Sequence, residues 1–206
     1  MFPLSTVLFP SAEIPIHIFE ERYRALITDV LEGDRQFGTT LITAGSEVGG
    51  GEQRSTVGTL LNVEMAMPFD DGRWMVVTRG VERIEIVEWL DDDPYPRAVV
   101  RHIPSGPFLG SSGLLSQATA AVRRARMLLS ELDQGPPLSI DLDLEDNPIM
   151  ASWMICALAP ISLFDAQRLL EITSPNERLE SLIEHCCAQI SDLELLLSQP
   201  PKRPGD

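Results

Sequence analysis

His185, Cys186 and Cys187 stand side by side in a 206-residue chain whose remaining histidines and cysteine are His17, His102 and Cys156. Soft ligands at that density invite a metal reading. The surrounding residues have helical spacing, however, and successive helical side chains point about 100° apart, so three neighbours cannot converge on one ion. Cys186 reads instead as a small core residue. An odd cysteine count with two adjacent members also does not suit a disulfide framework, which predicts reduced thiols. The hexapeptide Asp141–Asp146 imitates the start of a calcium loop. Counted from Asp141, it places Asp146 where glycine must make the sharp turn and Ser152 where a bidentate glutamate is needed. The glycine-rich run from Gly45 to Gly51 lacks both the G-x-G-x-x-G spacing and a following helix, so it reads as a surface connection rather than a phosphate cradle. His17 and His102 lie in strand-like stretches with no recognisable nucleophile elbow nearby, and GSSG at 110–113 is not G-x-S-x-G. The single lysine, Lys202, removes a Walker A loop and a Ser-Lys dyad in the core. No catalytic residue, cofactor or metal is expected.

Apolar and aromatic groups are the other candidates for contact. Candidate contacts are Phe9, Ile14, His17 and Phe19 around the first turn, Phe69 and Trp74 at a hairpin tip, and Trp89. Period-2 counting puts Trp74 on the side of Val76, and Trp89 on the side of Arg83 and Glu85, where an indole either anchors a partner or is covered by a neighbouring loop or the helical bundle. The same counting aligns Leu61, Val63, Met65 and Met67 on one core-facing row. The net charge of −15 is shared almost evenly by the two halves of the chain, and neither offers the basic footprint that nucleic acid requires. Arg123, Arg124 and Arg126 form the densest basic spot, and they are expected to pair with the chain's own carboxylates.

These groups must be placed by two kinds of segment. Residues 1–105 alternate with period 2: Phe2–Phe9, Ile14–Phe19 and Phe37–Thr43 read as strands, 56–90 as three more, and 95–103 as the last. A helix is inserted at Glu20–Glu32, where Tyr23, Leu26, Ile27, Val30 and Leu31 share one face before Gly33 stops it. Asp71-Gly72 marks a tight hairpin. Pro10 and Pro15, lacking backbone donors, belong at strand ends and edges. Residues 106–113 read as a linker. Residues 114–198 carry helical spacing, with helices from about Leu114 to Leu132, from an Asn147–Pro148 start through Ala159, from Ser162, and from the Ser174–Glu177 capping box along a long apolar stripe. Residues 199–206 read as a disordered tail. The absence of an apolar run near 20 residues excludes a membrane-spanning helix, and with no leader pattern a cytoplasmic protein is expected.

The order of these motifs resembles a known family. The stretches FPLSTVLFPSAEIPIHIFEERYRALITDVLEGDRQFG, STVGTLLNVEMAMPFDDGRWMVVTRGVERIEI and YPRAVVRHIP are similar to the LON domain, the amino-terminal substrate-recognition domain of Lon proteases. The helical half, DNPIMASWMICALAPISLFDAQRLLEITSPNERLESLIEHC, is similar to the rest of that domain, so the resemblance spans about residues 2–197. It implies an α+β fold: a PUA-like β pseudo-barrel with one inserted helix, followed by a helical bundle. It also implies a stand-alone bacterial member that keeps the recognition module without ATPase or peptidase. The function expected is non-catalytic binding of unfolded or partner polypeptides, with oligomeric state open. The rival readings are an RNA-binding PUA-like protein, which the acidity of both halves opposes, and an unrecognised hydrolase.

Overall fold

The computed structural model describes residues 1–45, 53–137 and 143–198. Its elements run in chain order as β1 (Phe2–Leu4), β2 (Glu13–Ile18), α1 (Glu21–Glu32), β3 (Gln36–Ala44), β4 (Gln53–Pro68), β5 (Trp74–Leu90), β6 (Arg97–Ile103), α2 (Ser112–Glu131), α3 (Pro148–Leu158), α4 (Leu163–Glu171) and α5 (Pro175–Ser198). The α+β class follows. The expected first strand is cut short at Leu4, and the 56–90 stretch makes two long strands rather than three. The 199–206 tail, most of the glycine-rich loop and the start of the acidic hexapeptide lie outside the described residues.

The sheet is mixed and open. β1 pairs parallel with β3, β3 antiparallel with β4, and β4 with β5 along its length. The other edge of β5 is shared end to end: β2 pairs with Trp74–Arg79 and β6 with Arg83–Leu90. Between these two partners the chain from Phe9 to Ala12 crosses β5, exchanging backbone hydrogen bonds with Gly80 at 2.8 and 2.9 Å. A Cβ at Gly80 would lie 2.3 Å from the Phe9 carbonyl oxygen. Only glycine admits that approach. Gly80→Ala is therefore expected to destabilise the protein by about 1–3 kcal/mol in urea unfolding, with little change in m-value. No ladder joins β1 to β2 among the described residues, and a 210 Å³ cavity lies between Phe2, Leu4, Ile14 and Ile16 at that seam. The expected pseudo-barrel is thus not closed by hydrogen bonds.

Three bulges decide which side chains face where. The pairing Leu60↔Glu82 is followed by Leu61↔Gly80, leaving Val81 extra; Val63↔Thr78 is followed by Met65↔Val77, leaving Glu64 extra; Ile86↔Val100 is followed by Glu88↔Val99, leaving Val87 extra. Each extra residue is exposed. The bulge at Val81 bends β5 without ending it, which is why one strand stands where two were expected. The bulge at Glu64 overturns the expected row. Leu61 and Val63 are buried, but Met65 and Met67 face solvent. The bulge at Val87 moves Trp89 away from Arg83 and Glu85, and it packs partly buried against the Met1, Ile84 and Ile86 cluster with the Arg54 guanidinium 4.2 Å from its ring centre.

The inner sheet face and α1 bury one core, including Phe2, Ile16, Ile18, Tyr23, Leu26, Ile27, Leu61 and Val76. The helices bury a second around Trp153, Leu169, Leu179, Leu182 and Cys186. Their starts are capped as the sequence implies: Asn147 accepts from the Ile149 N–H, Ser162 from Asp165 and Ser174 from Glu177. The two cores are joined by buried arginines rather than by a hinge. Arg83 on β5 donates to the carbonyls of Leu170, Ile172 and Pro104 at 3.1–3.2 Å, and Arg178 on α5 donates to Ile172 and to Ser152 Oγ. Leu170–Ile172 is the carboxy end of α4, where the helix dipole is negative, so carbonyls stand where carboxylates would be expected. Both guanidiniums flank the Trp153 ring, Arg178 at 3.2 Å and Arg83 at 5.5 Å from its centre. Burial lowers the Arg178 pKa to about 10, which still leaves it charged at neutral pH.

Candidate functional site

The exposed methionines belong to a patch that register alone assembles. Residues directly opposite in antiparallel strands share a face. Met67 on β4 pairs with Met75 on β5, which pairs with His17 on β2; one step along, Met65 pairs with Val77, which pairs with Pro15. Two cross-strand rows therefore run over three strands on the outer face. Met65 and Met67 are 52% and 47% exposed, while Met75 and Val77 are half-buried between their neighbours. The next row, Asn62–Arg79–Glu13, is polar, with Arg79 Nη2 2.6 Å from Glu13 Oε1. That row bounds the patch on one side.

On the other side the patch runs into the β4–β5 hairpin. Gly72 takes a φ of +83°, which glycine adopts without strain, and the loop closes through Gly72 N–H to Phe69 O and Phe69 N–H to Arg73 O. Asp71 accepts from the Arg73 backbone N–H at 3.1 Å and from its Nε at 2.7 Å, and the backbone bond leads in holding its carboxyl below the usual value. Phe19, just past β2, and Phe69, just past β4, are 58% and 45% exposed. With His17, Arg73 and the half-buried Trp74 they line a cavity of about 310 Å³. Four residues expected to make contacts, His17, Phe19, Phe69 and Trp74, are thus brought together.

The remaining three are dispersed. Phe9 is not an exposed group: it is buried in the helical core, its ring stacked at 5.9 Å on Trp153. Ile14 is half-buried and shares with Phe9 the wall of an apolar groove of about 490 Å³ between the 6–14 segment and helices α3 and α4. Trp89 lies near the far end of β5. The bulge at Glu64 hides the methionine rows from period-2 counting. The Met-x-Met spacing ahead of a D-D-G turn was the available signal.

The described residues around the His17 cavity include no serine, threonine or cysteine, and His102 Nδ1 lies 2.9 Å from Glu82 on the surface. Cys156 is buried, which pushes its thiol up to about 12, and no group of three or more His, Cys, Asp or Glu able to hold a metal occurs among the described residues. Of the arginine cluster, Arg124 pairs with the Glu194 carboxylate at 2.7 Å on the surface, as expected, whereas Arg126 donates to the Leu158 carbonyl. No described helix is long and apolar enough to cross a membrane.

Comparison with known proteins bears on what this surface is for. The family model described as the ATP-dependent protease La (LON) substrate-binding domain matches residues 1–187. A Lon protease 2 of Herpetosiphon aurantiacus is 28% identical over 93% of this chain, which spans 24% of that protein. A LON peptidase N-terminal domain and RING finger protein of Schizosaccharomyces pombe is 26% identical over 85% of this chain and 42% of its own length. The chain thus spans about a quarter of the length of the Lon proteases it matches. Among solved structures, a Lon N-terminal domain protein from Xanthomonas campestris superposes with a TM-score of 0.59 at 24% identity, covering 97% of this chain and 96% of that one. The N-terminal domain of a Mycobacterium avium complex Lon protease gives 0.58 at 14%, covering 90% and 96%.

Proposed function

This chain belongs to the LON substrate-binding domain family, and from that membership we propose that it is a non-catalytic recognition module that binds exposed apolar segments of unfolded or partner polypeptides. The observation that carries the reading is the outer face of β4, β5 and β2, where Met65, Met67 and Met75 continue into Phe19 and Phe69 at the tip. Methionine is unbranched and polarisable, so a surface built from it adapts to many apolar shapes. The aromatic pair supplies stiffer anchors. The open seam between β1 and β2 fits a PUA-like pseudo-barrel completed by packing rather than by hydrogen bonds. The acidic surface and free thiols suit a cytoplasmic setting and speak against RNA.

Purified protein is expected to bind a permanently unfolded model polypeptide, such as reduced carboxymethylated lactalbumin, with a Kd on the order of 10 μM. The paired substitutions Met67→Glu and Phe69→Asp change exposed side chains outside both cores and should weaken binding at least tenfold without moving the melting temperature. Fluorescence anisotropy of labelled polypeptide reads both values. Absent binding, or equal binding by the variant, would overturn this assignment.

A further inference from the structure

The binding surface holds its own chemical vulnerability. Met65 and Met67 are more exposed than Met75, which with Val77 lies between them and β2. Met65 and Met67 are each about half open to solvent and so within reach of small oxidants, and oxidation makes an apolar side chain polar. Thioethers buried inside a core would resist attack, and oxidised ones would unfold it. Here the bulge at Glu64 has placed them outside the core, so oxidation can alter the surface while leaving the fold intact.

We infer that the outer sheet face is a redox-sensitive binding surface, in which peroxide oxidation of Met65 and Met67, followed more slowly by Met75, releases bound polypeptide. The step is a two-electron oxygen transfer. The sulfur attacks one oxygen of hydrogen peroxide, the O–O bond breaks, an S=O bond forms, and the proton on the transferred oxygen passes to the departing one to leave water. Sulfur is oxidised and peroxide is reduced. The resulting sulfoxide dipole needs a hydrogen-bonding partner that an apolar ligand cannot give, so each oxidised row loses affinity. A thiol-driven methionine sulfoxide reductase reverses the change.

This inference rests on the polypeptide-binding reading, and the test separates the two. Protein treated with hydrogen peroxide until peptide mass spectrometry shows a 16 Da gain at Met65 and Met67 (the mass of the one oxygen added per sulfoxide) should bind the carboxymethylated polypeptide at least tenfold more weakly. Its melting curve should be unchanged, and reductase treatment should restore binding. A Met65→Leu/Met67→Leu/Met75→Leu variant keeps apolar bulk and every other oxidisable group, including exposed Met127 and Cys187; measured against its own untreated affinity, its binding should be insensitive to peroxide. Oxidised protein that binds with unchanged affinity, a variant as sensitive as the original, or failure of Met65 and Met67 to oxidise ahead of Met75 would overturn the switch alone. Failure of untreated protein to bind would overturn the underlying reading and the switch with it.

Discussion

Trp153→Ala is expected to cost about 3–5 kcal/mol of stability, the range for truncating a large buried aromatic, and to lower the melting temperature by on the order of 10 °C. Trp153 is 1% exposed and carries three contacts at once: Phe9 stacked on it, and the guanidiniums of Arg178 and Arg83 flanking it. Removing the indole opens a cavity and leaves two buried cations without the aromatic face that partly replaces their lost water. Phe9 also comes from the segment that crosses β5 at Gly80, so the damage should reach the sheet. Urea unfolding followed by circular dichroism measures the effect. A loss below about 1 kcal/mol, the size of a typical surface change, would mean that the ring fills space without holding the joint.

Arg83→Met should have a comparable cost, about 2–4 kcal/mol, but a different signature. The guanidinium donates to carbonyls at the end of α4 and at Pro104, and an apolar replacement removes that donor from Leu170 and Pro104, while Ile172 keeps its bond from Arg178. Because these bonds tie β5 to the helices, the sheet and the helical part should unfold in separate transitions. Tryptophan emission and far-ultraviolet dichroism, expected to coincide in the original, should then give different midpoints. Arg83→Lys should not restore coincidence. The Arg83 bonds leave from two nitrogens in a fixed fork, Nη1 to α4 and Nη2 to Pro104, and a single ammonium cannot span both. Coincident transitions in both variants would show that the joint does not couple the two cores.

Most elements were legible because their signals are local. The caps at Asn147, Ser162 and Ser174 need only three or four neighbouring residues, and the α1 stripe repeats within twelve. Strand faces are different, because parity is a running count and one uncounted residue inverts everything after it. The bulged residues Glu64 and Val87 have no neighbouring glycine or proline to announce them, whereas Gly80 stands beside Val81. Met65, Met67 and Trp89 were therefore assigned to the wrong side by correct counting from a wrong premise. Phe9 failed for another reason: nothing near it in sequence foretells that α3 brings Trp153 onto its ring. Within the candidate site, the aromatic tip could be read and the methionine rows could not.

The three bulges also make the surface tolerant of changes in chain length. Without Glu64, Val63↔Thr78 and Met65↔Val77 would become successive rungs of a regular ladder, and Met65 and Met67 would still face outward. The same holds for Val81 and Val87, whose neighbours already alternate correctly once they are skipped. Single-residue deletions at these three positions therefore leave the binding face in phase, whereas a deletion in a regular stretch of the ladder inverts the residues between it and the nearest bulge that can absorb it. Along β4 and β5, a change in length is neutral or ruinous according to its address.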